Sequence, residues 1–202
     1  MADKHVTIGV LAIQGDVAEH VRALTGCGVT AVPVKTAQAL SVVSGLVIPG
    51  GESTTMSILA VNNGLFPPLR QARESGMPMY GSCAGLIMLA DEITDGRADQ
   101  QTIGGLNIVA QRNAFGRQVD SFETDLEIAS LGAPAFHAVF IRAPLVKSIG
   151  AQVEILAQLP SEVDSTIVAV RQGNLMATSF HPELTSDLRI HQLFVDMVKE
   201  TL

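Results

Sequence analysis

A cysteine between two glycines is the clearest chemical feature of the sequence. Cys83 lies in the Gly-x-Cys-x-Gly segment 81–85, after the strand-like residues 78–80 and before an apolar helical run at 86–90. A tight strand–turn–helix of this kind presents a nucleophile, and the glycines leave room where the backbone folds back. The helix N-terminus favours thiolate over thiol. We therefore predict that Cys83 is a nucleophile, whereas Cys27, in a Gly-Cys-Gly turn, is interpreted as a buried structural residue.

A histidine with a nearby carboxylate supplies the base that a thiol nucleophile needs. His181 follows the apolar run 175–180 and precedes Pro182 and Glu183. Active sites of α/β proteins lie at the carboxyl ends of the strands. His181 is therefore expected beside Cys83, with Glu183 orienting its ring. Taken alone, the tripeptide also suits a helix entry. It lacks the ligand spacing of a zinc centre, so no metal is predicted. The remaining histidines are interpreted as structural: His5, His20, His137 and His191.

A glycine pair predicts donors for a negatively charged oxygen. The segment 49–56 reads Pro-Gly-Gly-Glu-Ser-Thr-Thr-Met and follows a strand-like run. Gly50 and Gly51 allow backbone N–H groups to face a ligand, and the Ala84 N–H next to the cysteine adds a third donor. The alternatives are a phosphate loop, which lacks the required lysine, and a plain turn with Ser53 or Thr54 capping a helix. We predict an oxyanion hole from Gly50, Gly51 and Ala84.

The elements that must position these residues follow an α/β pattern. Near-continuous apolar runs alternate with helical segments in the first half, which predicts a three-layer fold with a largely parallel sheet and helices on both faces, plus antiparallel strands in the second half. Residues 91–101 are polar and predict a surface loop or lid. Strands are predicted at 6–13, 30–34, 46–48, 78–80, 136–141, 153–159, 166–170 and 175–180. Helices are predicted near 17–24, 56–63, 69–74, 86–90 and 188–198.

Composition excludes several classes of protein. The chain has 202 residues, is 47% hydrophobic and has a formal net charge of −7, which argues against disorder and against nucleic-acid binding. Two cysteines cannot form a disulfide framework. No signal peptide, membrane span, repeat or linker is recognisable. We expect one domain over residues 1–202, in the cytoplasm and without membrane attachment.

The three motifs together resemble class I, triad-type glutamine amidotransferases, whose fold is flavodoxin-like. The order nucleophile, histidine, acid differs from that of α/β-hydrolases. A more specific resemblance, over nearly the whole chain, is to the glutaminase subunits of pyridoxal 5′-phosphate synthase. Segments 112–118 and 141–144 separate that family from other triad glutaminases. The segments that carry the resemblance are 11–15, 49–56, 81–86, 112–118, 140–144 and 179–185.

This resemblance implies a cofactor-free glutaminase that hydrolyses L-glutamine to L-glutamate and ammonia. The ammonia would pass, within a hetero-oligomer, to a synthase subunit that builds pyridoxal 5′-phosphate from a pentose phosphate and a triose phosphate. It implies that Cys83, His181 and Glu183 form a triad and that Gln14 lies near the oxyanion loop and the partner surface. The residues implied to hold glutamine are Gly51, Glu52, Ser53, Arg112, Ile141 and Arg142.

Three alternatives stay open. The same chemistry would serve a stand-alone γ-glutamyl hydrolase or a glutaminase for another acceptor. A non-catalytic module with Cys83 as a redox sensor would be indifferent to substitution of His181. An elbow-cysteine chaperone or deglycase pairs its thiol with a carboxylate after the first strand, where this chain has Gln14. Residues 131–135 match no pattern and are assigned no role.

Overall fold

The computed structural model describes residues 6–112, 121–159 and 166–202. The strands there are β1 (Thr7–Leu11), β2 (Thr30–Val34), β3 (Gly45–Ile48), β4 (Met79–Ser82), β5 (Ala90–Thr94), β6 (Leu106–Gln111), β7 (Ser121–Leu126), β8 (Phe136–Ile141), β9 (Leu145–Ile149), β10 (Glu154–Leu159), β11 (Thr166–Gln172) and β12 (Leu175–Thr178). The helices are α1 (Val17–Gly26), α2 (Ala37–Leu40), α3 (Ser53–Asn62), α4 (Phe66–Glu74), α5 (Ala84–Leu89) and α6 (Arg189–Lys199).

The main sheet of the described residues is parallel on one side and largely antiparallel on the other. Its strand order is β2-β1-β3-β4-β12-β11-β9-β6-β5, and β10 pairs with β11 outside this path. The strands from β2 to β12 run parallel to their neighbours, whereas β11 pairs antiparallel with β12, β9 and β10. β7 and β8 form a separate antiparallel ribbon. The predicted fold class is confirmed.

Helices cover both faces of the parallel part. Leu46 and Ile48 of β3 belong to one apolar cluster, with residues of α2, α3, α4 and α5. Val47 between them belongs to the other, with Leu24 of α1 and Phe194 of α6. Side chains of a strand alternate between faces, so an uninterrupted apolar run such as β3 is buried from both sides. None of the helices in the described ranges has the length and apolarity that a membrane crossing requires.

Some element boundaries differ from the predictions. Residues 91–94, predicted as part of a loop, belong to strand β5, which has only β6 as a neighbour at the edge of the sheet. Edge strands tolerate charged residues. Because Asp91 and Glu92 are charged and exposed, the sequence of this strand has the polar composition of a loop. Helix α3 begins at Ser53, three residues before the predicted start, and the four-residue α2 is too short to give a periodic pattern.

Four neighbouring parallel strands bring the predicted site residues together. In the sheet these strands are adjacent in the order β1-β3-β4-β12. Their carboxyl ends lead respectively to Gln14, to the segment 50–52, to Cys83 and to His181. Because parallel strands end at the same edge, residues far apart in the sequence meet there.

Candidate active site

Cys83 occupies a strained turn between β4 and α5. Its φ of 48° and ψ of −102° lie in a region that residues with a Cβ rarely adopt, and its side chain is almost fully buried. The turn requires the flanking glycines, because a Cβ on Gly81 would collide with the backbone of Gly85 and a Cβ on Gly85 with the carbonyl of Ile48. The expected strand–turn–helix around the cysteine is therefore present.

His181 and Glu183 form a buried pair directly after β12. The His181 Nδ1 lies 2.7 Å from Glu183 Oε1, and both residues are 5% exposed. The backbone N–H of His181 donates to the carbonyl of Val139 at 2.8 Å, which ties the histidine to β8. Pro182 and Glu183 also begin a single 3-10 turn over Pro182–Leu184, so the helix-entry interpretation and the pairing with the imidazole hold together.

The electrostatics of this pair favour opposite charges on its two members. Burial lowers the pKa of His181, but its interactions with Cys83 and Glu183 outweigh burial and raise that pKa to about 10. Burial raises the pKa of Glu183, but the hydrogen bond from His181 is among the interactions that lower it overall. A hydroxyl donor, Ser82, also donates to the carboxylate, 3.1 Å from Oε2. An ionised Glu183 thus accepts the Nδ1–H of His181, and the other ring nitrogen, Nε2, is available to the Cys83 sulfur.

A cavity of about 440 Å³ joins these residues to the predicted glutamine-binding positions. Glu183 lies behind His181 rather than in the wall, and Gly50 packs against the His181 ring. Every other predicted site residue lines the cavity: Gln14, Gly51, Glu52, Ser53, Cys83, Ala84, Arg112, Ile141, Arg142 and His181.

Glu52 has a structural role that the sequence analysis missed. Its carboxylate accepts hydrogen bonds from the backbone N–H groups of Thr54 at 3.1 Å and Thr55 at 2.6 Å, so it caps α3 in place of the expected Ser53 or Thr54. Burial raises the pKa of Glu52, but these bonds outweigh burial and lower the pKa. Arg112 donates to the same carboxylate at 2.8 Å. The guanidinium is therefore engaged with the loop that borders the cavity.

Residues just before β6 also brace this loop. Gln100 donates to the Ser53 hydroxyl at 3.1 Å and accepts from Arg112 at 3.1 Å. The backbone N–H of Gln101 donates to the Ser57 hydroxyl at 2.8 Å. The part of the predicted lid that is a loop thus packs on α3, and sequence reasoning gave no signal for these contacts because amides and hydroxyls occur in any polar loop.

Gln14 contacts the glycine loop, the segment 50–52 that follows β3, directly. Its Oε1 accepts a hydrogen bond from the backbone N–H of Glu52 at 2.8 Å, and its amide occupies the space that a side chain on Gly51 would need. Gln14 therefore lies beside the loop, as the resemblance implies. Its role toward a partner stays a prediction.

The histidines outside the pair differ from one another. His137 lies exposed on β8 between Glu123 and Asp125, whereas His20 and His191 are fully buried. The Nε2 of His20 lies 3.4 Å from Glu183 Oε2, a contact that the sequence analysis missed. The only signal was a polar residue on the otherwise apolar stripe of α1. His5 and positions 113–118 of the segment 112–118 lie outside the described residues.

One group of side chains has the geometry for a metal ion. Asp16, His181 and Glu183 each offer a ligand atom, and these atoms lie within 4.8 Å of one another. Glu183 is already engaged by His181 and Ser82. That no metal is needed stays a prediction.

The chain is similar to known proteins over nearly its whole length. A family profile, the SNO glutamine amidotransferase family, matches residues 10–200. A relative from Nocardioides sp., named pyridoxal 5′-phosphate synthase subunit PdxT, is 59% identical over 195 residues, 96% of each chain. A relative of the same name from Clavibacter sepedonicus is 57% identical over 193 residues, 96% of this chain and 91% of that one.

A solved structure has the same fold. It is described as a glutamine amidotransferase and matches with a TM-score of 0.88 and 46% identity, over 95% of this chain and 98% of that one. The chain therefore belongs to the SNO glutamine amidotransferase family, as the sequence motifs predict.

Proposed function

We propose that this glutamine amidotransferase hydrolyses L-glutamine through Cys83, His181 and Glu183 and delivers the ammonia to the synthase subunit of a pyridoxal 5′-phosphate synthase. The observation that carries the proposal is that one cavity is lined both by Cys83, on a strained turn, and by His181, which is paired with the buried carboxylate of Glu183. That constellation suits acyl transfer to sulfur, because the imidazole can take a proton from the thiol and return it to a leaving nitrogen.

The first half of the reaction forms a thioester. The Cys83 thiolate attacks the side-chain amide carbon of glutamine, and the carbonyl oxygen gains the negative charge. Backbone N–H groups of the Gly50–Gly51 loop and of Ala84, which begins α5, stabilise that oxygen. The His181 imidazolium gives its proton to the amide nitrogen. The carbon–nitrogen bond then breaks, ammonia leaves, and a γ-glutamyl thioester remains.

The second half regenerates the thiolate. Neutral His181 takes a proton from water, and the oxygen attacks the thioester carbon. The tetrahedral intermediate collapses, glutamate leaves, and sulfur departs as thiolate beside the imidazolium. Glu183 holds the Nδ1–H throughout, so that Nε2 faces the reacting atoms in both steps.

The same cavity offers groups for the two charges of the substrate's amino-acid end. Arg142 lies exposed at its rim with a φ of 43°, and no ion pair of the described residues involves it. A guanidinium with that freedom suits the α-carboxylate of glutamine. Arg112 is paired with Glu52 in the cavity wall, and the negative charge of that carboxylate suits the α-ammonium. With these residues, Gly51, Ser53 and Ile141 complete the proposed glutamine site.

Dependence on a partner is supported by the relatives, which are named as subunits of a synthase and align with this chain nearly end to end. Ammonia released into water is protonated and lost as a nucleophile. A docked acceptor in a hetero-oligomer would avoid that loss.

The test measures ammonia release from glutamine by the purified chain, with and without the synthase subunit. We expect weak release alone and stimulation by the partner. Cys83→Ala abolishes turnover and leaves glutamine binding by calorimetry within about twofold, because the sulfur acts on the bond and contributes little ground-state affinity. Turnover by Cys83→Ala would refute the triad, and full activity without the partner would indicate a stand-alone hydrolase.

A further inference from the structure

Two buried histidines lie behind the proposed triad. His20 comes from α1 and His191 from α6, and both are 0% exposed. The His20 Nδ1 lies 3.0 Å from His191 Nε2, and its other ring nitrogen, Nε2, lies 3.4 Å from Glu183 Oε2. His20 therefore connects His191 to the carboxylate that holds His181.

The surroundings keep both rings neutral. The Tyr80 ring meets the His20 and His191 rings edge to face, each at a centroid distance of 6.2 Å, and its hydroxyl pairs with Thr178 Oγ1 at 2.8 Å rather than with either histidine. Burial lowers the pKa of His20 and lowers that of His191 to about 3. Each ring thus carries a single N–H at neutral pH, and the contacts decide which nitrogen holds it.

The carboxylate favours the tautomer of His20 with the proton on Nε2. If the proton were on Nδ1, a nitrogen lone pair would face a carboxylate oxygen at 3.4 Å with no hydrogen between them. With the proton on Nε2, the N–H lies on the side of Oε2; the 3.4 Å contact does not have hydrogen-bond geometry, so it acts as a contact between a dipole and a charge. The Nδ1 then accepts from the Nε2–H of His191. The Nδ1 of His191, which has no hydrogen-bond partner among the described residues, is left as a bare nitrogen rather than a buried N–H.

We infer that His20 is a positioning residue for glutamine hydrolysis, that its Nε2–H faces the second oxygen of Glu183 and stabilises its charge, and that His191 sets the tautomer of His20. The inference rests on the proposed function. Oε1 then pairs with His181, while Oε2 accepts from Ser82 and faces the Nε2–H of His20, which disfavours rotation of the carboxyl group away from the imidazole. Because His20 is neutral, it stabilises the carboxylate without cancelling the charge that supports the His181 imidazolium.

Substitutions of His20 separate this role from simple packing. His20→Gln keeps an N–H near the position of Nε2, whereas His20→Leu fills the space without a donor. In the complex with the synthase subunit, we expect His20→Leu to lower kcat on the order of 10- to 100-fold, as loss of an orienting partner does. The KM for glutamine stays within about twofold, because His20 does not line the cavity. His20→Gln restores most of the loss.

The matched control is Leu24→Ala, one turn further along α1 and fully buried in the apolar cluster that contains Val47 and Phe194. It removes packing from the same helix without removing a contact to Glu183, so it lowers Tm and leaves kcat within about twofold of the wild type. Equal losses of kcat in Leu24→Ala and His20→Leu, with no rescue by His20→Gln, would overturn the inference in favour of packing.

Nitrogen-15 spectra of the histidine-labelled full chain test the proton positions without any turnover. We expect His20 and His191 both to carry the proton on Nε2 and to keep it there from about pH 6 to pH 8, because burial suppresses the charged forms. His20 protonated on Nδ1, or titrating in that range, would overturn the inference even if no His20 variant could be purified. A wild-type complex that releases no ammonia, with this tautomer in place, would instead count against the proposed function.

Discussion

At the scale of single residues, the site depends on a carboxylate that stays charged inside the protein. Glu183 is 5% exposed, yet its pKa is lowered, because the bond from His181 is one of several that outweigh burial. A buried charge is tolerated only when hydrogen bonds replace its lost hydration. Its oxygens contact His181, Ser82 and His20. The carboxylate and these three side chains act as one unit. Removing its charge should most affect the orientation and the protonation of the His181 imidazole.

Replacing Glu183 by Gln tests that unit. The amide keeps the shape of the side chain and removes the charge that supports the His181 imidazolium. We expect kcat of the complex to fall at least about 100-fold, with KM little changed because Glu183 lies outside the cavity wall. Steady-state ammonia release measures both. Glu154→Gln, an exposed change on β10, should leave both constants alone, and a Glu183→Gln enzyme with unchanged kcat would contradict the orienting role.

The raised pKa of His181 makes stability depend on pH. The pKa of about 10 in the folded chain exceeds the ordinary histidine pKa of 6.5, so the folded chain binds this proton more tightly than the unfolded chain. The free energy that this proton adds to the stability of the fold is fully present below about pH 6.5 and is lost as the pH rises toward about 10. We expect the free energy of unfolding in urea to fall more steeply between those values in the wild type than in His181→Gln. Parallel curves would show that His181 is not protonated in this way.

At the scale of elements, the glycine loop is held by the N-terminus of α3. Glu52 caps that helix and pairs with Arg112, which joins the helix start to the cavity wall. Glu52→Ala should lower the free energy of unfolding by about 0.5–2 kcal/mol through loss of the cap. It should also raise the KM for glutamine, because Arg112 loses its partner at the binding site.

A second helix cap provides the control. Thr36 accepts from the backbone N–H of Ala39 at the start of α2, outside the residues that line the cavity. Thr36→Ala should destabilise the chain by a similar amount, about 1 kcal/mol, and leave KM unchanged. Urea unfolding and steady-state kinetics on both variants separate the capping role of Glu52 from its role in glutamine binding. An unchanged KM in Glu52→Ala would exclude Glu52 from glutamine binding.

The elements were predictable where a single pattern dominated. Near-continuous apolar runs located β1, β3 and β4, because strands buried on both faces contain few polar residues. The start of α3 was missed, since Ser53 and its threonine neighbours do not favour helix and their cap is a glutamate. Strand β5 was missed because its exposed charges suit an edge rather than a core.

At the scale of the whole molecule, the site exists only because distant segments end at one sheet edge. Local motifs indicated Cys83, His181 and Glu183 as candidates, since each stands in a recognisable turn. No local motif could identify His20, whose contact with Glu183 requires α1 and the residues after β12 to pack on the same face of the sheet. Contacts of that kind depend on the packing angle of a helix, which periodicity does not specify.

The contact between Gln14 and the glycine loop bears on how the expected partner would activate the site. In the isolated chain, the Glu52 N–H donates to Gln14 Oε1 at 2.8 Å, so that donor and the loop are fixed before any partner docks. If docking activates the site by moving Gln14, then Gln14→Ala should reduce the ratio of ammonia release with the synthase subunit to release without it. Gln38→Ala, exposed on α2, keeps the ratio of the wild type. A Gln14→Ala chain with the wild-type ratio would place the activating contact elsewhere.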